Sequence, residues 1–124
     1  MRVEHFLNDS AARMGKRLYE GLRSTLGEHP HAGDIRGGKG LLAAVELVED
    51  RESKRNFPAD KKVGPRVQAE MMKRGIVTRV RPSPGAHPSP GDSVFYAPPL
   101  VVTEAEVDRL VSVTRDSIKA VLGV

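Results

Sequence analysis

The sequence has 124 residues, which fits one domain that can bury a core of moderate size. Aromatic residues make up only 4% of the chain and tryptophan is absent, so aliphatic side chains must build that core. Cysteine is also absent, which excludes disulfides and thiolate metal sites. This agrees with the reducing cytoplasm, where we expect the protein to be located.

The net charge of +4 does not indicate a nucleic-acid partner. Most of the excess lies in residues 49–74, where eight bases are mixed with five acids, as in a solvated surface. The only aromatic residue there is Phe57, whereas proteins that bind single-stranded nucleic acid interleave aromatics with bases. No apolar run approaches a membrane span, and the four histidines have no carboxylate cluster beside them. We therefore expect no nucleic acid, membrane or metal partner.

The first element is predicted from apolar residues spaced three or four positions apart. This spacing indicates an amphipathic helix from near the start of the chain to about Leu26. The helix is expected to stop before Gly27 and the His29-Pro30 pair, because a residue before proline disfavours helical dihedrals. The buried stripe consists of Val3, Leu7, Ala11, Met14, Leu18 and Leu22.

Residues 41–48 are apolar on both alternating faces, which predicts a strand covered on at least part of both sides. Ile35-Arg36 is interpreted as a short strand before a glycine-rich turn. Residues 49–62 are polar and predict a surface loop. A second helix follows, with a start between Asp60 and Pro65 and an end at Gly75.

The remaining strands are short. Residues 76–80 predict one by their β-branched content, and residues 94–96 predict another. Four prolines and two glycines make residues 81–92 irregular. Thr103 and Glu106 then predict a capping box, in which each side chain bonds a free backbone N–H of a last helix.

The order of elements indicates an α+β fold with a small, mainly antiparallel sheet and helices packed on one face. The last helix carries the clearest buried stripe, and it contains no proline or glycine before its end. That stripe consists of Val107, Leu110, Val111, Thr114, Ile118, Val121 and Leu122.

Several stretches, in chain order, resemble PLP-dependent class III aminotransferases of the omega-amino acid:pyruvate type. Together they span nearly the whole chain. They are His29-Pro30, Gly33-Asp34-Ile35-Arg36-Gly37, Gly40-Leu41-Leu42-Ala43-Ala44-Val45-Glu46-Leu47, Phe57-Pro58, Arg74-Gly75-Ile76-Val77 and Ala97-Pro98-Pro99-Leu100-Val101-Val102-Thr103-Glu104. The chain departs from the family by having Gly38-Lys39 where one residue is usual, and by a longer loop at 81–92.

The resemblance implies that residues 1–124 form the small carboxy-terminal domain of such an enzyme, without the large PLP-binding domain. The fold implied is that of the carboxy-terminal domain of fold-type I PLP enzymes. The reaction implied is transfer of an amino group between an amine or amino acid and a keto acid. In the family the large domain supplies the Schiff-base lysine, and every lysine here has polar or glycine neighbours or a polar helix face. We therefore expect no catalytic residue, no cofactor-binding residue and no PLP bound to this chain alone, which should be inactive.

Arg79 is the residue that the resemblance singles out. In amine:pyruvate-type members an arginine at the matching strand end binds the substrate carboxylate, and a planar guanidinium suits that task. Arg81 competes for the same role, because it is two residues on and points to the same face of an extended strand. Other subgroups carry their carboxylate arginine at the position of Phe95, a departure that favours Arg79.

Two partner arrangements follow from the missing large domain. Either a separate large-domain chain completes the enzyme, or two copies pair to cover the stripe of the first helix and the sheet. An alternative function is a non-catalytic module, derived from such an enzyme, that binds itself or another chain.

Overall fold

The computed structural model describes residues 3–39, 42–82, 91–96 and 103–124. Three helices and four strands form an α+β fold, as the sequence predicts. In chain order they are α1 (Val3–Leu26), β1 (Ala32–Lys39), β2 (Leu42–Leu47), α2 (Val63–Lys73), β3 (Arg79–Arg81), β4 (Asp92–Tyr96) and α3 (Glu104–Leu122), with a short 3-10 turn at Ala59–Lys61 before α2.

The four strands form one open sheet in the order β1-β2-β4-β3, and every neighbouring pair is antiparallel. Ile35 lies opposite Val45, and Val45 lies opposite Val94. All three are buried, so this row faces the core. Helix α1 packs against β1 and β2, α2 packs against β3 and β4, and α3 packs against both other helices.

The stripe of α1 is buried inside the chain over the part whose side chains are described. Leu18 and Leu22 are fully buried, and Ala11 and Met14 are 6% and 4% exposed. They join one core cluster with side chains of the sheet and the other helices. The side chains of Val3 and Leu7 lie outside the described part.

Helices α2 and α3 begin as their sequences predict. Pro65 lies in the first turn of α2. Backbone N–H groups of the first turn have no partner within the helix, so proline removes no helical hydrogen bond there. The capping box of α3 is formed: the Glu106 backbone N–H donates to Thr103 Oγ1 at 3.2 Å, and the Thr103 backbone N–H donates to Glu106 Oε1 at 3.1 Å.

Several strand predictions need correction at their ends, and β4 begins at Asp92 rather than at Val94. β1 is an eight-residue strand rather than the short Ile35-Arg36 segment, because β2 offers a full antiparallel partner and glycines do not prevent pairing. The register shifts between Arg36 and Lys39, at the extra residue noted in the sequence.

The strand predicted over residues 76–80 begins only at Arg79. The Ile76 N–H donates to the Met71 carbonyl at the end of α2, and the Thr78 carbonyl accepts from the Gln68 side chain at 2.8 Å. These backbone groups are therefore bonded to α2. Most of the proline-rich loop, residues 83–90, and the stretch from Ala97 to Val102 lie outside the described residues.

Candidate functional site

The sheet face that points away from the helices carries the candidate site, and we call it the outer face. Residues directly opposite each other in antiparallel strands point to the same side. Two rows therefore cross the outer face. The first row consists of Arg36, Ala44, Phe95 and Arg79, and the second of Asp34, Glu46, Ser93 and Arg81.

An open cavity of about 1010 Å³ includes the whole first row. Apart from two arginines, the described lining is made of aliphatic and aromatic side chains and glycine. The lining residues are Tyr19, Ile35, Arg36, Gly37, Ala43, Ala44, Arg79, Val80, Phe95 and Tyr96.

The structure places Arg79 directly beside Phe95, at the β3 edge of the first row. Its side chain is exposed, and none of the hydrogen bonds or ion pairs formed among the described residues holds its guanidinium. Arg36, at the opposite edge, contacts the carboxylate of Asp34 through its Nε at 3.5 Å. Of the two arginines in the cavity, Arg79 is thus the one without an acidic partner in the described part of the chain.

Arg81 lies on the outer face as well, which agrees with the expected side-chain direction. It stands opposite Ser93 in the second row, and it is not among the described residues that line the cavity. The structure therefore brings Arg79 and Arg81 to one face but brings only Arg79 to the cavity.

Sequence reasoning missed Arg36, Ala44 and Phe95 as neighbours of Arg79. They come from three different strands, and only the β1-β2-β4-β3 order places them in one row. The sequence offered one signal for Ala44: side chains alternate between the two faces along β2, so Ala44 lies on the face opposite to that of Val45.

The buried hydroxyl of Tyr96 lies at the helix side of the cavity and is held by α3. Its oxygen is 2.7 Å from Thr114 Oγ1, and Thr114 Oγ1 donates to the Leu110 carbonyl at 2.7 Å. Burial raises the pKa of Tyr96 far above its ordinary value of 10. The phenol therefore stays protonated at neutral pH.

The lysines and histidines of the described chain do not form a reactive cluster. The described lysine side chains are exposed, and the Lys54 ammonium donates to the Gly33 carbonyl. His31 N–H donates to His29 Nδ1 at 3.1 Å, and His31 Nδ1 lies 3.0 Å from the Val48 carbonyl, so both rings brace the backbone. Within the described residues, no group of three histidine or carboxylate side chains could hold a metal ion. None of the described helices is long and apolar enough to cross a membrane.

The chain is similar over nearly its whole length to transaminases, although no family model matches it. It is 34% identical over 115 residues to the diaminobutyrate–2-oxoglutarate transaminase of Halomonas elongata, which covers 93% of this chain and 23% of that protein. An (S)-enantioselective omega-transaminase from Thermomicrobium roseum matches with a TM-score of 0.83 and 36% identity. The omega-transaminase from Pseudomonas jessenii in complex with PMP matches with a TM-score of 0.81 and 36% identity.

The share of each relative that is matched is small. Both solved structures match 97% of this chain but only 24% of their own chains. The chain thus spans about a quarter of the length of the transaminases it matches, which is consistent with a carboxy-terminal segment.

Proposed function

We propose that this chain, which is related to aminotransferases over nearly its whole length and spans about a quarter of theirs, acts as the small carboxy-terminal domain of a PLP-dependent class III enzyme. In that role it binds the carboxylate of the amino donor or keto acceptor and closes one side of the active site. It is inactive without the rest of the enzyme. The proposed cytoplasmic location stays a prediction.

The observation that carries the proposal is the state of Arg79. Its guanidinium is exposed, has no acidic partner among the described residues, and lines a mostly apolar cavity. A carboxylate that reaches it forms charge-assisted hydrogen bonds, which a bidentate guanidinium orients as well as binds. Once a large domain closes the cavity, its apolar lining would strengthen those bonds, because it would lower the local dielectric constant.

The lysines that the structure describes do not fit a covalent PLP site. PLP, when bound to an aminotransferase, acts as an electron sink for amino-group transfer. The lysine that holds it must be desolvated or lie beside another cation to be nucleophilic at neutral pH. The described lysines are exposed, so the cofactor contacts in this proposal come from the large domain.

The outer face is the surface we assign to the rest of the enzyme. Its first row lines one side of the open cavity, and Tyr19 of α1 and the core-side residues of the sheet line the other. A large domain packed on the outer face would close the cavity around a substrate. That large domain is supplied by the same polypeptide or by a separate chain.

A chimeric enzyme tests the role of Arg79. Residues 1–124 would replace the corresponding segment of the Pseudomonas jessenii omega-transaminase, and steady-state kinetics would be measured with a keto acid and with an amine lacking a carboxylate. We expect Arg79→Ala to raise the Michaelis constant for the keto acid by a factor equivalent to about 1.5–3 kcal/mol, the range for a hydrogen bond to a charged group. The value for the simple amine should change little.

Arg81→Ala is the matched control, because Arg81 is on the same face but outside the described cavity lining. A larger effect from Arg81→Ala would transfer the carboxylate role to that residue. Equal effects of Arg79→Ala on both substrates would contradict the proposal.

A further inference from the structure

We infer that the first row of the outer face selects a monocarboxylate with an apolar body, whose carboxylate binds Arg79 while its body lies on Phe95 and Ala44. This inference rests on the proposed function, because it takes Arg79 as the residue that binds the carboxylate. It adds the chemical class of the substrate and makes Phe95 a specificity-determining residue.

The geometry of the row gives the direction of the ligand. Phe95 is the direct cross-strand neighbour of Arg79, and Ala44 is the next neighbour on the far side of Phe95. Neighbouring strands are about 4.8 Å apart, so a ligand anchored at Arg79 passes over Phe95 after one strand spacing. Phe95 is half-buried and therefore still offers part of its ring to a ligand. Ala44 is a small residue that also lines the cavity.

The chemistry of the lining fits an apolar body. Among the described lining residues only Arg36 and Arg79 carry a charge. The hydroxyl of Tyr96 is already bonded to Thr114, so it does not offer the ligand a free polar group at that end. Ligand sites are typically apolar with a few polar groups that fix orientation, and Arg79 is the group that does so here.

The charges of the row favour one carboxylate over two. A second carboxylate, at the far end of the row, would reach Arg36. The guanidinium of Arg36 is 3.5 Å from the carboxylate of Asp34, which would repel an incoming anion. Arg79 has no such acidic neighbour in the described part of the chain. A dicarboxylate would therefore gain little from its second charge.

Direct binding to the 124-residue chain tests this inference without enzyme turnover. Backbone amide shifts would be followed by NMR as 3-phenylpropionate, propionate and glutarate are added separately. We expect 3-phenylpropionate to bind about three- to tenfold more tightly than propionate, the factor that an aromatic contact provides. Glutarate should bind no more tightly than propionate.

Variants assign the preference to particular side chains. Phe95→Ala should remove the advantage of 3-phenylpropionate over propionate. Phe95→Leu serves as a second variant that keeps an apolar side chain, and it should retain part of the advantage. Met72→Ala is the matched control, because Met72 is an exposed apolar residue of α2 that is not among the described cavity residues. It should change neither affinity.

The outcomes separate this inference from the proposed function. If all three acids bind equally and Arg79→Gln removes their binding, the carboxylate role stands and the inference is overturned. If glutarate binds most tightly and Arg36→Gln removes that preference, the row is a dicarboxylate site and the inference is overturned. If Arg79→Gln changes no affinity, or no acid binds, both fail.

Discussion

Tyr96 shows how burial turns one hydroxyl into a pH-sensitive element of the fold. Its side chain is 3% exposed, and its hydroxyl bridges β4 to Thr114 of α3. Because Thr114 Oγ1 donates to the Leu110 carbonyl, the Tyr96 hydroxyl donates to Thr114 Oγ1. An ionised Tyr96 could not donate this bond and would leave a charge in the core.

We expect Tyr96→Phe to lower the free energy of unfolding by about 0.5–1.5 kcal/mol at neutral pH, the usual net value of one hydrogen bond. Denaturant midpoints of both proteins at pH 7 would measure the loss. An unchanged midpoint would mean that the bridge to Thr114 does not stabilise the fold.

The same residue predicts a loss of stability at alkaline pH. The pKa of Tyr96 is raised in the fold above the value of 10 expected when unfolded, so unfolding releases a proton above that pH. The protonated Tyr96 therefore makes its full contribution to the free energy of unfolding below pH 10, and this contribution is lost as the pH rises further. The unfolding free energy of the parent chain should fall more steeply above pH 10 than that of Tyr96→Phe. Tyr19 is present in both proteins, so their difference isolates Tyr96.

At the scale of elements, α3 depends on its first turn. The Thr103–Glu106 box satisfies two backbone N–H groups that would otherwise have no helical partner. We expect Thr103→Ala to destabilise the chain by about 1 kcal/mol, measured as a lower denaturant midpoint. Thr103→Ser keeps the hydroxyl and should retain most of the stability. Equal losses in the two variants would argue that the cap is not the cause.

The ends of β1 and β3 show where local sequence reasoning stops. The pattern of α3 is local, since its cap, stripe and end lie within one run of residues, and its prediction was confirmed. The start of β3 depends instead on Gln68, ten residues earlier, whose side chain bonds the Thr78 carbonyl. The length of β1 depends on pairing with β2 as far as Lys39–Leu42. Propensity along the chain does not contain such contacts.

At the scale of the whole molecule, the homodimer stays a prediction, but fewer surfaces are available for it. The stripe of α1 from Ala11 to Leu22 is buried by the chain itself and is not available to a second copy. None of the described helices packs on the outer face, so we expect any pairing to use it. Sedimentation over a wide concentration range should show reversible dimers. A strict monomer at high concentration that binds no hydrophobic dye would contradict this.

We also expect the whole chain to bind no PLP covalently. The described lysines are exposed, whereas a lysine that forms a Schiff base needs desolvation or a neighbouring cation. After incubation with PLP and borohydride reduction, mass spectrometry should find no lysine labelled in preference to the others. A single labelled lysine, with an imine absorption band that its mutation removes, would contradict the assignment of the cofactor site to a large domain.

The sequence by itself determined the three helices, the approximate positions of the strands, the α+β class and the resemblance that singled out Arg79. Those features depend on periodicity, caps and motifs, which involve residues that are close together in the sequence. Only the tertiary structure decided that Arg79 and not Arg81 lines the described cavity, and that Arg36, Ala44 and Phe95 share its row. The reason is physical: strand order and register join residues far apart in the chain, and a shift of one residue would turn every side chain to the other face.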